Sequence, residues 1–162
     1  MSDILSIIEK HNRQPAASTS ALGTRGEILA AEYLEKHGYR MVMSNFKVPV
    51  GRNSKGVKVT GEIDIIALDG EMLCFVEVKT RRSDEFAPVI TAVDLRKQRQ
   101  ITRTARVYRR IFDVWERQYR FDVVTVLMPK HAEPVIELNC GFWTEASFQK
   151  HSWSFEAWHE FA

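Results

Sequence analysis

GEIDIIALDGEMLCFVEVKT, residues 61–80, reads as two apolar strands folded back on each other at a tight turn. Asp69-Gly70 between apolar runs is the strongest short-range signal for a two-residue hairpin loop. With that loop, Leu68 faces Glu71, Ile66 faces Leu73, Asp64 faces Phe75 and Glu62 faces Glu77. Side chains alternate between the two faces of a strand. One face then holds Ile63, Ile65, Ala67, Met72, Cys74, Val76 and Val78. The other holds Glu62, Asp64, Ile66, Leu68, Leu73, Phe75, Glu77 and Lys79. Acids suit strand interiors poorly and are costly to bury as unpartnered charges. Asp64 and Glu77 fall as diagonal neighbours with Cβ atoms roughly 5–8 Å apart, close enough to share a divalent cation such as Mg²⁺. The competing interpretation is a solvated face whose like charges are held apart by water, and the apolar neighbours of the acids weigh against it. The face assignment depends on the turn, because a one-residue slip of pairing exchanges the faces.

Outward from the hairpin, residues 24–37 have a helical pattern stopped by Gly38. Tyr39 to Val50 suits a strand running into a loop near residues 51–58. After Arg82 a polar loop through Pro88 precedes a long helix from about Thr91 to Gln118. RFDVVTVLM, residues 120–128, is a buried strand ended by Pro129, and Val135 to Leu138 suits a further short strand. Trp143, Trp153 and Trp158 stand in an aromatic tail that suits a helix or cap. Helix, three strands, helix, strand defines an α/β αβββαβ core with a mixed sheet. The expected division is an N-terminal extension over 1–21 (a short helix near 2–11, then a flexible linker), a core over 22–128, and a strand with an aromatic helical cap over 129–162.

Glu27, on the first helix, shares a face with Ala30, Ala31 and Leu34. Unpaired Glu is rarely buried, so it is either an acid favoured by the helix N-terminus or a third carboxylate leaning toward Asp64 and Glu77. The long helix carries Arg96, Arg99, Arg103, Arg106 and Arg110, spaced 3, 4, 3 and 4. At 3.6 residues per turn these occupy a sector of ~80°. Val93, Ile101, Ala105, Tyr108, Ile111, Phe112 and Trp115 take the opposite side. The stripe has no interspersed acid, which suits binding to the phosphates of nucleic acid; a solvated helix face is the plainer alternative. Lys97 projects toward the apolar side and so toward the acids, while Arg81 and Arg82 extend positive charge just beyond Lys79.

The chain has 162 residues, enough for one domain with a proper core. Its net charge is only +2, so any affinity for nucleic acid must come from local arrangement. Two cysteines, Cys74 and Cys140, make no disulfide framework; they read as small core residues in a reducing compartment, which points to the cytoplasm. No membrane span and no secretory signal is evident. The five histidines show no paired metal spacing, and no Gly-rich phosphate loop is present.

Two or three carboxylates with a lysine two residues after one of them make a Mg²⁺-dependent phosphodiesterase site. The cation polarises the phosphate and acidifies a water, and the ammonium stabilises transition-state charge. Asp64 in GEID and Glu77-Val78-Lys79 resemble the Asp and (D/E)XK elements of the PD-(D/E)XK nuclease superfamily. RGEILAAEYLEKHGYR, GEIDIIALDG, FVEVKTR, the AV followed by Lys97-Gln98, and RFDVV together resemble the YraN-like family, related to Holliday-junction resolvases. That resemblance implies a restriction-endonuclease-like fold. It implies Asp64, Glu77 and the Val78 carbonyl as ligands of Mg (or Mn), Lys79 as catalytic lysine and Glu27 as the helix carboxylate. Lys97 or Gln98 would support the site, with Glu62 at most in an outer role. The implied substrate is DNA, branched in the manner of repair and recombination intermediates, and a homodimer would pair two sites for symmetric cutting. The stretch between Asn45 and Gly61 is longer than the family pattern leads one to expect, and the first 20 residues and the aromatic C-terminus fall outside the match. Retention of the fold as a non-catalytic nucleic-acid-binding or protein-interaction module is the alternative function. A hydrolase for a small phosphate compound is disfavoured by the lack of a nucleotide-cradling loop.

Overall fold

The computed structural model describes residues 20–82 and 93–148. Within them α1 (Ser20–Lys36) leads to strands β1 (Arg40–Arg52), β2 (Lys58–Asp69) and β3 (Met72–Arg82). Helix α2 (Leu95–Ile111), strands β4 (Tyr119–Met128) and β5 (Val135–Trp143) and a short 3-10 turn at Glu145–Phe148 follow. The sheet order is β1-β2-β3-β4-β5. β3 and β4 run parallel and every other neighbouring pair antiparallel. This is the mixed-sheet αβββαβ core of a restriction-endonuclease-like protein, with β5 added at one edge.

The helices cover opposite faces. Ala30 and Leu34 of α1 pack on Ile65, Ala67, Val76, Val78 and Val124, mainly over β3 and β4. Ile101, Ala105 and Tyr108 of α2 pack on Phe46, Ile63, Ile66 and Phe75, over β1 and β2. Gly38, at φ 86, closes α1: Tyr39 N–H bonds to the Leu34 carbonyl and Gly38 N–H to that of Glu35, both at 3.0 Å. That is the glycine stop read from the sequence, in its Schellman form. Asp94 caps α2 by accepting from Lys97 N–H at 2.8 Å.

Several expectations need correction. The hairpin loop is Gly70-Glu71, not Asp69-Gly70, with Asp69 paired to Met72 and Ile66 to Phe75. Only Gly70 of the two has positive φ, 58°, as a type II′ turn requires. Moving the loop by one residue moves the pairing by two, so the faces survive but Asp64 now lies level with Glu77. Ile63 leaves the face of Ile65 and joins Phe46 beneath α2. The reason is a break in alternation where Asn45 of β1 adopts φ 52. The second helix ends at Ile111 rather than near Gln118, and Asp113 at φ 51 turns the chain away. Val93 precedes this helix and Trp115 follows it, with Trp115 exposed under the Arg109 guanidinium. β5 runs on to Trp143, which is therefore sheet, stacked on Phe121 at 4.8 Å and donating to Thr102 Oγ1 at 3.0 Å. Cys74 is buried as expected, but Cys140 is exposed. Ser20 and Ala21, assigned to the linker, already belong to α1. The helix near 2–11, the rest of the linker, the loop through Pro88 and the aromatic tail with Trp153 and Trp158 lie outside the described residues.

Candidate functional site

The ladder between β2 and β3 stops at Ile65 and Val76. Beyond it, β2 stays paired to β1 as far as Lys58, and β3 to β4 as far as Arg82. The sheet thus divides into a fork, and its crotch is the Asp64–Glu77 level. The cause is local: Val78 N–H bonds to the Asp64 carboxylate (Oδ2, 2.8 Å) in place of a backbone carbonyl on β2. Each arm carries its own helix, α2 on β1–β2 and α1 on β3–β4.

Two glycines let those helices come close enough to reach the crotch. A Cβ on Gly26 would stand 1.8 Å from Thr80 Oγ1, and one on Gly61 would stand 1.9 Å from Thr104 Oγ1. Lys97 extends from α2 to Glu77, with Nζ 3.5 Å from Oε1. Glu27 extends from α1 in the other direction and feels Asp64, Glu62 and Lys47. Both reach across the fork to the opposite arm.

Asp64 and Glu77 are 8% and 4% exposed, far less than the acids of a solvated face. Burial, then the neighbouring Asp64, pushes the Glu77 carboxyl up to about 8, against the pull of Lys97 and Lys79. Burial raises Asp64 too, opposed by the Val78 N–H and by Lys97. Glu27, half-buried, is raised by desolvation and by Asp64, while the Asn45 side chain works the other way. Glu77 Oε2 is buried with no hydrogen-bond partner among the described residues. Glu62 sits outside the crotch in a half-exposed pair with Lys47 at 3.2 Å.

Glu27, Glu62, Asp64, Glu77, Lys79 and Lys97 are therefore brought together, with Val78 between the two strands' acids. Gln98 is buried one residue on from Lys97, where its Nε2 bonds to the Val93 carbonyl at 2.9 Å and fixes the entry to α2. Arg81 and Arg82 continue β3 beyond the site. The arginine stripe is exposed along α2, and its members differ: Arg106 pairs with Glu145, Arg99 lies over Phe148, and Arg96 and Arg103 border a cleft beside β1 and β2. Asn45 and Lys47 were not singled out in the sequence. Asn45 was accessible in principle, since Asn tolerates left-handed backbone better than most residues, but nothing local marks one Asn in a strand as the place where alternation reverses.

Among the described residues no three His, Cys, Asp or Glu side chains form a metal cluster. A site of two carboxylates completed by waters and substrate oxygens is what Mg²⁺ accepts and what a protein-enclosed Zn²⁺ does not. The orphaned, buried Glu77 Oε2 beside Asp64 fits such a cation. No helix of the described residues is long and apolar enough to cross a membrane.

The fold and its crotch define an α/β protein with a forked mixed sheet and paired buried acids. The chain belongs to the uncharacterised protein family UPF0102, the YraN-like family, whose profile matches residues 26–126. A UPF0102 protein of Chlorobium limicola is 44% identical over 107 residues, covering 66% of this chain and 75% of that protein. One from Chlorobium chlorochromatii is 44% identical over 112 residues, 69% of this chain and 78% of its own. One from Solibacter usitatus is 42% identical, covering 71% and 80% respectively.

Proposed function

We propose that the chain is a Mg²⁺- or Mn²⁺-dependent endonuclease of the PD-(D/E)XK superfamily that hydrolyses DNA phosphodiester bonds in the cytoplasm. One observation carries this reading. Asp64 and Glu77 are buried side by side at the fork, one Glu77 oxygen lacks a partner, and Lys97 meets the other. A cluster built only for stability would not bury two adjacent carboxyls where burial raises both, Glu77 to about 8.

Asp64, Glu77 and the Val78 carbonyl are the groups to hold the cation, which supplies Lewis acidity toward a phosphate and acidifies a water. Lys79 orients the attacking water and meets the negative charge that builds on the phosphoryl oxygens. Lys97 fixes Glu77 through Oε1. Glu27, whose carboxyl is raised by its surroundings, is suited to exchange a proton with water at the site. Glu62, with Lys47, forms the outer wall. The resolvase resemblance directs the choice of substrate to branched DNA, cut by the paired sites of a homodimer.

The test is cleavage of duplex, single-stranded, flap and four-way DNA with Mn²⁺, run beside Glu77→Ala. Cutting of at least one substrate by the native chain and none by the variant is expected. Failure of the native chain on every substrate at high protein and Mn²⁺ overturns the reading in favour of a non-catalytic module.

A further inference from the structure

We propose that the cleft between the β1–β2 arm and α2 is a binding site for the phosphates of a DNA backbone, remote from the phosphate that reacts at the fork. The inference rests on the DNA reading above and adds where the strand is gripped. The cleft encloses about 270 Å³ and is bordered by Arg52, Arg96, Arg99 and Arg103, with Val50 and Val59 as apolar floor. No acid borders it.

The cleft is held by specific bonds rather than left by loose packing. At the arm's tip the Asn53 side chain accepts from Lys55 N–H (2.9 Å) and Val57 N–H (3.0 Å), and Arg52 Nη1 donates to the Gly56 carbonyl at 2.7 Å. Gln100 ties the arm to α2 by donating to the Thr60 carbonyl at 2.9 Å. The Gly61–Thr104 approach sets the separation of arm and helix. Guanidinium groups of like charge at one opening, those of Arg52, Arg96 and Arg103, repel each other, so a fixed cleft of this kind is suited to anions. Arg52 spends one donor on Gly56, and a guanidinium has five N–H donors. Valine on the floor with arginine on the walls matches a sugar–phosphate chain, whose sugars are the less polar part.

Position also favours a backbone contact over a second reacting site. Val59 precedes Asp64 by five residues on β2, about 17 Å at ~3.4 Å per residue. At that distance the cleft holds phosphates other than the one that reacts at the fork. The stripe on α2 is thereby divided. Arg96 and Arg103 face the cleft, Arg99 borders it with its guanidinium over Phe148, and Arg106 is engaged by Glu145.

The experiment measures binding of a labelled DNA duplex in EDTA, from low to moderate salt, so that it does not depend on cleavage. Arg96→Gln/Arg103→Gln is compared with the native chain and with Arg40→Ala/Arg117→Ala, which removes the same charge far from the cleft. Arg52→Gln is tested separately because it also touches the arm's tip. Neutralising Arg96 and Arg103 should make the slope of log K against log salt shallower by about 2, with the control double variant close to native. Thermal melts check that the variants fold. A native slope in Arg96→Gln/Arg103→Gln, or an equal loss in the control, overturns the cleft while leaving the nuclease reading to its cleavage test. Absence of DNA binding by the native chain overturns the cleft as well. Cleavage that persists in either case shows that the nuclease reading survives without it.

Discussion

At the scale of single residues, Glu77 has the environment with the most consequences. Its carboxyl is raised from an ordinary 4.5 to about 8 by burial and by Asp64. The folded state therefore holds a proton that the unfolded chain releases near the normal carboxylate range. Below about 4.5 both states are protonated and the shift has no effect on stability. As pH rises toward 8 the unfolded state is increasingly favoured, because only there is the carboxylate well solvated. In EDTA the melting temperature should fall between pH 5 and pH 8.5, and Glu77→Gln should flatten that fall by removing the charge. Mg²⁺ or Mn²⁺ should raise the melting temperature of the native chain more at pH 8.5 than at pH 5.5, because protons compete with the cation. The same additions should leave Glu77→Gln nearly unmoved. Equal cation effects in the two proteins would remove Glu77 from the ligand set.

At the scale of elements, the two helix–sheet contacts at Gly26 and Gly61 set the site's dimensions. A methyl at Gly61 meets Thr104 Oγ1 at 1.9 Å and Val50 Cγ1 at 2.7 Å, so α2 must move off the β1–β2 arm. Gly61→Ala should cost roughly 1–3 kcal/mol by overpacking and loosen the Lys97–Glu77 contact that depends on α2. Denaturant unfolding measures the first effect. Thr104→Ala in the same chain should recover part of it, and strict additivity of the two changes would show that they do not meet. Much of this layer was legible beforehand: the glycine stop of α1, the strand pair, and a lysine of α2 turned toward the acids. Each depends on short-range pattern. The hairpin loop was misplaced because Asp69-Gly70 and Gly70-Glu71 both put glycine where a primed turn accepts it, and only tertiary pairing decides between them. The Val78–Asp64 bond and the reversal at Asn45 were not legible, since both arise where strands part company across the sheet. Trp143 was misread for a related reason. Its burial comes from Phe121 and Thr102, which are distant in sequence.

At the scale of the whole molecule, the sheet has buried acids on both faces, one register step apart, and they are treated in opposite ways. On the α1 face Asp122, level with Val76, is completely buried and matched: Arg120 Nε lies 2.9 Å from both of its oxygens and Gly141 N–H donates to Oδ1 at 2.8 Å. Arg120 Nη2 reaches on to Asp69 at 2.9 Å and Tyr39 at 2.7 Å, so one guanidinium ties the hairpin and the start of β1 to β4. On the α2 face, at the fork, Asp64 takes the Val78 N–H, Glu77 meets Lys97 through one oxygen, and the other Glu77 oxygen receives no donor from the described residues. Breaking a matched buried pair strands a charge, whereas neutralising an unmatched acid relieves one. Arg120→Met should therefore destabilise the chain by about 3–5 kcal/mol, because Asp122 keeps only its bond from Gly141. Asp64→Asn, in EDTA at pH 8, should be neutral or stabilising although Asp64 too is buried, while it removes cation binding. Both variants are compared by urea unfolding under those conditions, where a change in midpoint at constant slope reports stability alone. If Asp64→Asn were as damaging as Arg120→Met, the fork acids would be part of the scaffold and the case for a metal site would lose its energetic basis. If the signs separate, the matched acid on the α1 face stabilises the fold and the fork acids on the α2 face hold charge in reserve for a cation, which is how one sheet can be both stable and reactive.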